Sequence, residues 1–114
     1  MEALKKSAAA FDAAYAAQGA KLTPAARTKL NAMLQNIDQL LLSERGLPMR
    51  PWYKNLIYAP GRFTGYGAKT LPGVREAIEE RRFDDANLYA KLTGEALPAY
   101  AARLDAARAL LPTT

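Results

Sequence analysis

The stretch Leu47–Ile78, LPMRPWYKNLIYAPGRFTGYGAKTLPGVREAI, decides how the rest of the chain is read. It lies between two regions of helical periodicity and is too apolar, too aromatic and too proline-rich to be a passive linker. Five of the seven prolines (Pro48, Pro51, Pro60, Pro72, Pro98) fall in it or soon after it. Trp52, Tyr53, Tyr58, Phe63 and Tyr66 follow one another closely. Proline fixes φ and removes a backbone donor, so the expectation is one irregular path held by side-chain packing and not by a hydrogen-bond ladder. A long ordered connection in a small domain usually carries function.

Working outward, the flanks read as helices. Towards the N-terminus, Glu2–Gln18 forms helix one, with Leu4, Ala8, Phe11 and Tyr15 on one buried face and Gly19 as its stop. Helix two starts at Thr23-Pro24, a capping hydroxyl followed by a proline at the first helical position. Its stripe is Leu30, Leu34, Ile37 and Leu41, widened by Met33 and Leu40, and Gly46 and Pro48 end it. Within the central stretch, LIYAP is a short strand or extended segment that Pro60 keeps out of any sheet interior. Gly61, Gly65, Gly67 and Gly73 are read as turn residues. Helix three begins at Pro72, with Val74, Ala77 and Ile78 inward. Helix four begins near Asp84-Asp85, where acids suit a helix N-terminus. Its stripe is Leu88, Leu92, Ala96, Tyr100, Leu104, Ala107 and Leu111. Gly94 and Pro98 interrupt it, and the pattern predicts one kinked helix and not two. The fold class is therefore all-α: a four-helix antiparallel bundle with a long ordered irregular crossover between helices two and three.

The totals bound the chemistry. One domain's worth of chain, 114 residues, can bury a core without disulfide or metal. There is no cysteine and no histidine. Thiolate–imidazole zinc sites, cysteine nucleophiles and histidine-based triads are excluded. The N-terminal run superficially resembles a signal peptide, but Asp12 interrupts it and the periodicity is that of an amphipathic helix. No apolar run approaches the roughly 20 residues that span a bilayer, so no membrane contact by this domain is expected. The net charge of +5 is spread along the chain with acids between the bases, an ordinary solvated surface and not a nucleic-acid stripe.

The motifs are weak as catalytic signatures. GRFTGYGAKT suggests a phosphate-binding P-loop, yet Ala68 separates Gly67 from Lys69, and the P-loop needs its lysine directly after glycine. Glu79-Glu80 and Asp84-Asp85 are sequence neighbours that point to different helix faces, so neither converges on a metal or a scissile bond. Ser7 and Ser43 have no histidine to activate them. Three readings of the aromatic segment stay open. It caps the bundle, buries against a partner, or lines a small-molecule pocket with Tyr66 and Arg62; the residues alone favour capping. Trp52 and Tyr58, which flank prolines, are read as structural.

Arg50-Pro51-Trp52-Tyr53, Leu56-Ile57-Tyr58-Ala59-Pro60, Tyr66 and Leu71-Pro72-Gly73-Val74 together resemble the C-terminal helical domain of the transferrin receptor and glutamate carboxypeptidase II group, the transferrin-receptor-like dimerisation domain. The helices on either side fall where that family has them, so the resemblance covers nearly all of residues 1–114. It implies a domain at the end of a larger chain, after a zinc aminopeptidase-like domain and an apical domain. It further implies homodimerisation, and a loop that leans over the neighbouring active site and touches peptide substrate. Zinc and the catalytic acid would then lie in the upstream protease domain, with no cofactor here. In the carboxypeptidases a Lys-Tyr pair in this loop holds a substrate carboxylate. The tyrosine matches Tyr66, while the lysine falls on Gly65, so that charge is missing; Arg62 and Lys69 are the nearby cations. The group also contains a receptor that does not cleave peptides.

The function expected is that of a C-terminal dimerisation domain of a glutamate-carboxypeptidase-like zinc metallopeptidase, not catalytic alone, and contributing Arg62, Gly65 and Tyr66 to a substrate pocket. The alternative is a free-standing helical binding module for a peptide or small anion.

Overall fold

The computed structural model describes residues 1–63 and 65–113. Four helices dominate it: α1 (Glu2–Gln18), α2 (Pro24–Gln35), α3 (Pro72–Glu79) and α4 (Phe83–Arg108). A small antiparallel sheet pairs β1 (Tyr58–Pro60) with β2 (Ala68–Thr70), in the register Tyr58↔Thr70, Ala59↔Lys69, Pro60↔Ala68. The all-α class expected from the periodicity is the one the chain forms. No helix among the described residues is long and apolar enough to cross a membrane. Contacts divide the chain into two compact units: Met1–Leu40 with the chain from Leu97 onward, and Leu41–Ala96.

The first unit is built on helix periodicity. Leu4, Ala8 and Phe11 are half-buried as the pattern predicts, but Tyr15 is exposed. It stacks on Phe11 with ring centroids 6.0 Å apart. The inward face of α1 also carries Ser7 and Ala14. Gly19 is not a left-handed stop. Its backbone stays helical (φ −58, ψ −37) and leads into a 3₁₀ turn, Gly19–Lys21. A Cβ at Gly19 would lie 3.1 Å from the Tyr15 ring, so the position favours glycine for room rather than for dihedral freedom.

Thr23 caps α2 as expected: its Oγ1 accepts the Ala26 N–H at 3.2 Å, and Pro24 occupies the first turn. The helix stops at Gln35, short of the expected Leu41, and Ile37–Leu41 continues as a 3₁₀ turn. The cause is a long-range cap. Arg103 Nη1 donates to Met33 O at 3.0 Å and Asn36 Oδ1 at 3.1 Å, satisfying a C-terminal carbonyl that the next turn would have used. Leu22, Leu30, Ala107 and Leu111 form this unit's core, with Phe11 and Met33 packed against it. Burying Leu30 alone stabilises by about 2 kcal/mol.

In the second unit Leu47, Leu56, Ala59, Tyr89 and Ala96 form the core, with Val74, Leu88 and Leu92 against it. Tyr89 is the keystone, and two glycines make its slot. A Cβ at Gly73 would sit 2.4 Å from the Tyr89 ring. The Tyr89 hydroxyl donates to Gly46 O at 2.5 Å, and burial pushes its pKa up. Gly73 is therefore a helix residue chosen for close packing, not a turn. Ile78, expected inward, is exposed, and the inward place on α3 goes to Glu76. α4 is one helix through Gly94 and Pro98, and not two, as the pattern predicts.

Candidate functional site

The segment between α2 and α3 is closed on itself by backbone bonds. Ser43 N–H donates to Lys54 O and Leu56 N–H to Leu41 O, at 2.8 and 2.9 Å. Inside that ladder a tight knuckle forms: Leu47 N–H to Tyr53 O, Arg50 N–H to Leu47 O, Tyr53 N–H to Arg50 O. Farther along, Leu71 N–H donates to Ile57 O and Gly61 N–H to Gly67 O, extending the β1–β2 pairing at both ends. The expectation of packing without a ladder is corrected here. Prolines remove some donors, but the non-proline positions between them pair in short runs.

Four positions in this path take a positive φ: Gly46, Met49, Gly65 and Leu71. At Gly46 (φ 68) an added Cβ would fall 2.3 Å from Pro51 O, so only glycine fits. Met49 (φ 61) and, at the start of α3, Leu71 (φ 48) take the same region with full side chains. A non-glycine residue there costs about 1–2 kcal/mol. Both side chains are exposed, so neither cost is offset by burying apolar surface within the chain.

A buried ion pair ties the knuckle to the hairpin and to α3. Arg50 and Glu76 side chains are each 8% exposed, with Nη2 to Oε2 at 2.9 Å. Arg50 Nη1 also donates to Pro60 O at 2.6 Å. The other carboxylate oxygen of Glu76 accepts the Arg62 backbone N–H at 3.1 Å. Arg50 Nε is buried and has no hydrogen-bond partner among the described residues. The pair links residues 26 positions apart, so no local window of sequence reveals it. The available signal was an acid between Gly73 and Ala77 on the inward face of α3, with an arginine in the aromatic motif to receive it.

Since Leu47 and Arg50 hold the backbone, the aromatic side chains are left free. Trp52 is 69% exposed, Tyr58 60%, Phe63 79%, and Tyr66 fully exposed. The capping reading, with Trp52 and Tyr58 as structural residues, is therefore overturned within this chain. Rings that anchored the prolines would be buried.

The three residues read as substrate contacts share one loop. Gly61 N–H to Gly67 O and Gly65 N–H to Gly61 O, both 3.0 Å, close it. Thr64, in the same loop, lies outside the described residues. Tyr66 projects into solvent; Gly65 (φ 65) has open space where a side chain would start. Arg62 is half-buried, paired with Glu80 at 2.9 Å, and its guanidinium lies 4.8 Å from the Phe63 ring centroid. Arg82 bonds the other oxygen of Glu80 and also Asp85. The Arg82 hydrogen bond, with further help from Arg62, holds the Glu80 carboxyl below its ordinary value. Lys69 pairs with Glu79 at 2.7 Å and lowers that carboxyl in turn. Both candidate cations thus already have an acidic partner, although Arg75 shares Glu79 with Lys69 at 3.2 Å. Among the described residues, no group of three or more histidine, cysteine or acidic side chains could hold a metal.

In the first unit, a groove of about 470 Å³ is lined by α1 residues Ala14, Ala17 and Gln18 and by Leu111 and Pro112. None of the three loop residues borders it.

Fold and site together define a helical domain that displays exposed aromatics from a braced crossover. The chain belongs to the transferrin receptor-like dimerisation domain family, whose model matches residues 1–105. It is similar to a probable glutamate carboxypeptidase, LAMP1, of Arabidopsis thaliana, 43% identical over 54 residues, which is 47% of this chain and 8% of that protein. A probable glutamate carboxypeptidase of Arthroderma benhamiae is 40% identical over 53 residues, 46% of this chain and 7% of that protein. Vacuolar protein sorting-associated protein 70 of Saccharomyces cerevisiae is 38% identical over 50 residues, 44% of this chain and 6% of that protein. The matched part of the chain thus spans less than a tenth of the length of these curated relatives.

Proposed function

We propose that this chain is the C-terminal dimerisation domain of a glutamate-carboxypeptidase-like metallopeptidase, and that its central loop borders the substrate pocket of the assembled protein. The observation that carries the reading is the row of exposed aromatics, Trp52, Tyr58, Phe63 and Tyr66, on a backbone braced by buried groups. Aromatic residues presented in this way are the usual centres of protein interfaces. Family membership supplies the partner, a second copy, and the names of two relatives supply the class of parent. The chain lacks histidine and cysteine, so the zinc of such a parent would be held by its protease domain. The roles of Arg62, Gly65 and Tyr66 as substrate contacts belong to this reading. Because Arg62 and Lys69 are already paired with acids, a lone small anion is a poor ligand for the loop, which weighs against a free-standing anion-binding module.

Light scattering of the complete natural protein tests association. A dimer at micromolar concentration is expected, with about 1,600 Å² or more buried. Trp52→Ala should weaken it by about 2 kcal/mol. A clean monomer would refute the dimer reading. For the pocket, Tyr66→Phe should raise KM for the peptide substrate while the melting temperature stays put, since the ring touches nothing that holds the fold.

A further inference from the structure

We propose that Glu76 and Arg50 are positioning residues for the Arg62–Gly67 loop, so that substrate affinity at that loop depends on a buried ion pair that never meets the substrate. This rests on the pocket reading above for its effect on affinity, but the mechanical part stands on geometry alone.

Glu76 uses both carboxylate oxygens on different partners. Oε1 takes the backbone N–H of Arg62, the first residue of the loop after Gly61; Oε2 takes Arg50 Nη2. Arg50 in turn holds the carbonyl of Pro60, the residue before Gly61. The entrance of the loop is therefore gripped from two sides, at Pro60 O and at Arg62 N, by one coupled pair rooted in α3 and the knuckle. Among the described residues, the loop's other backbone bonds, Gly61 N–H to Gly67 O and Gly65 N–H to Gly61 O, both involve Gly61, so the grip acts where the loop closes, beside the Arg62 side-chain pair with Glu80.

Stability alone is a poor explanation for the pair. Desolvating two charges costs several kcal/mol, and apolar replacement of a buried pair is often neutral or better. Here the cost is higher still, because Arg50 Nε has no partner among the described residues. What the pair supplies that an apolar pair cannot is direction: a guanidinium and a carboxylate each bond two groups at fixed angles.

The experiment uses the complete natural protein. Glu76→Gln keeps the shape and the acceptor for Arg62 N–H but loses the charge that binds Arg50. Arg50→Lys keeps the charge but replaces two nitrogens fixed in one plane with a single, freely rotating one. In each, amide exchange at Arg62 and Gly65 should quicken by about tenfold or more, while exchange in α4 is unchanged. KM should rise by about tenfold with kcat within about twofold. Unchanged loop exchange in either folded variant overturns the clamp. So does an unaltered protein whose Arg62 amide shows no protection, a measurement that needs no variant to fold. Quickened exchange with unchanged KM, in a protein whose Tyr66→Phe variant also has unchanged KM, leaves the clamp in place and overturns the pocket reading.

Discussion

The two units of this chain solve the same problem by different means. The unit of residues 1–40 and 97 onward is held by repeating apolar faces, an N-cap and one long-range arginine cap. In the unit Leu41–Ala96, two short stretches of ladder, a buried ion pair and a tyrosine wedged beside two glycines do that work. Of the twelve exposed large hydrophobic residues, only Met1 and Tyr15 lie in the first unit; the other ten lie in the second. An irregular backbone braced by buried polar groups can turn its apolar side chains outward. A helix that is stable through its apolar face cannot spare that face for a partner.

The sharpest way to break this contrast is Gly46→Ala. With φ 68 and Pro51 O at 2.3 Å from the new Cβ, the backbone must move. A loss of about 3 kcal/mol or more is expected in chemical denaturation, with the Tyr89–Gly46 bond lost as well. A loss near that of an ordinary surface change would show that the second unit is not braced at this point. A smaller effect probes the first unit. Thr23→Ala removes the cap on α2 and should cost about 1 kcal/mol by the same measurement. Equal losses at the two sites would erase the distinction drawn here.

Acid provides the gentlest test. Lys69 and Arg82 hold the Glu79 and Glu80 carboxyls below 4.5. A carboxyl whose pKa is lower in the folded than in the unfolded chain binds fewer protons when folded. Its contribution is complete above the ordinary value and disappears as pH falls through the lowered one. Melting temperature should therefore decline below about pH 4.5, and decline less in Glu80→Gln. Both carboxylates are solvent-accessible, so the effect is small; identical acid profiles for the two proteins would remove these pairs from the account.

How much was legible follows the same division. The start of α2 at Thr23-Pro24, α3 at Pro72 and the stripe of α4 were all readable, because caps, prolines and periodic leucines act within a few residues. What could not be read acts over distance. Arg103 shortens α2 from 67 residues away, Tyr89 bonds Gly46 across 43, and Arg50 finds Glu76 across 26. On α3 the buried stripe runs through Gly73, Glu76 and Ala77, one position off the expected Val74, Ala77 and Ile78, and Glu76 on it bonds Arg50. Trp52 and Tyr58 read as structural because they flank prolines, yet both are exposed, and the backbone bonds that hold the path without them are irregular ones that periodicity does not signal. Gly65 and Tyr66 are legible through the family resemblance and Arg62 as a nearby cation, whereas the bonds from Glu76 and Arg50 to the loop entrance come from distant residues.

The hairpin edge has one more consequence. The bonds from Leu71 N to Ile57 O and from Gly61 N to Gly67 O turn the Tyr58 and Pro60 backbones away from β2. On that rim the Tyr58 amide is already taken by Asn55 Oδ1, Pro60 has no amide, and Arg50 occupies the Pro60 carbonyl. A segment rich in aromatic and β-branched residues is ordinarily a hazard for runaway strand stacking and fibre growth. Here the rim offers an incoming strand no hydrogen at either position, so the donor half of a new ladder is missing on the β1 side and pairing there falls mainly to side chains, where geometry can limit it to a single chosen mate.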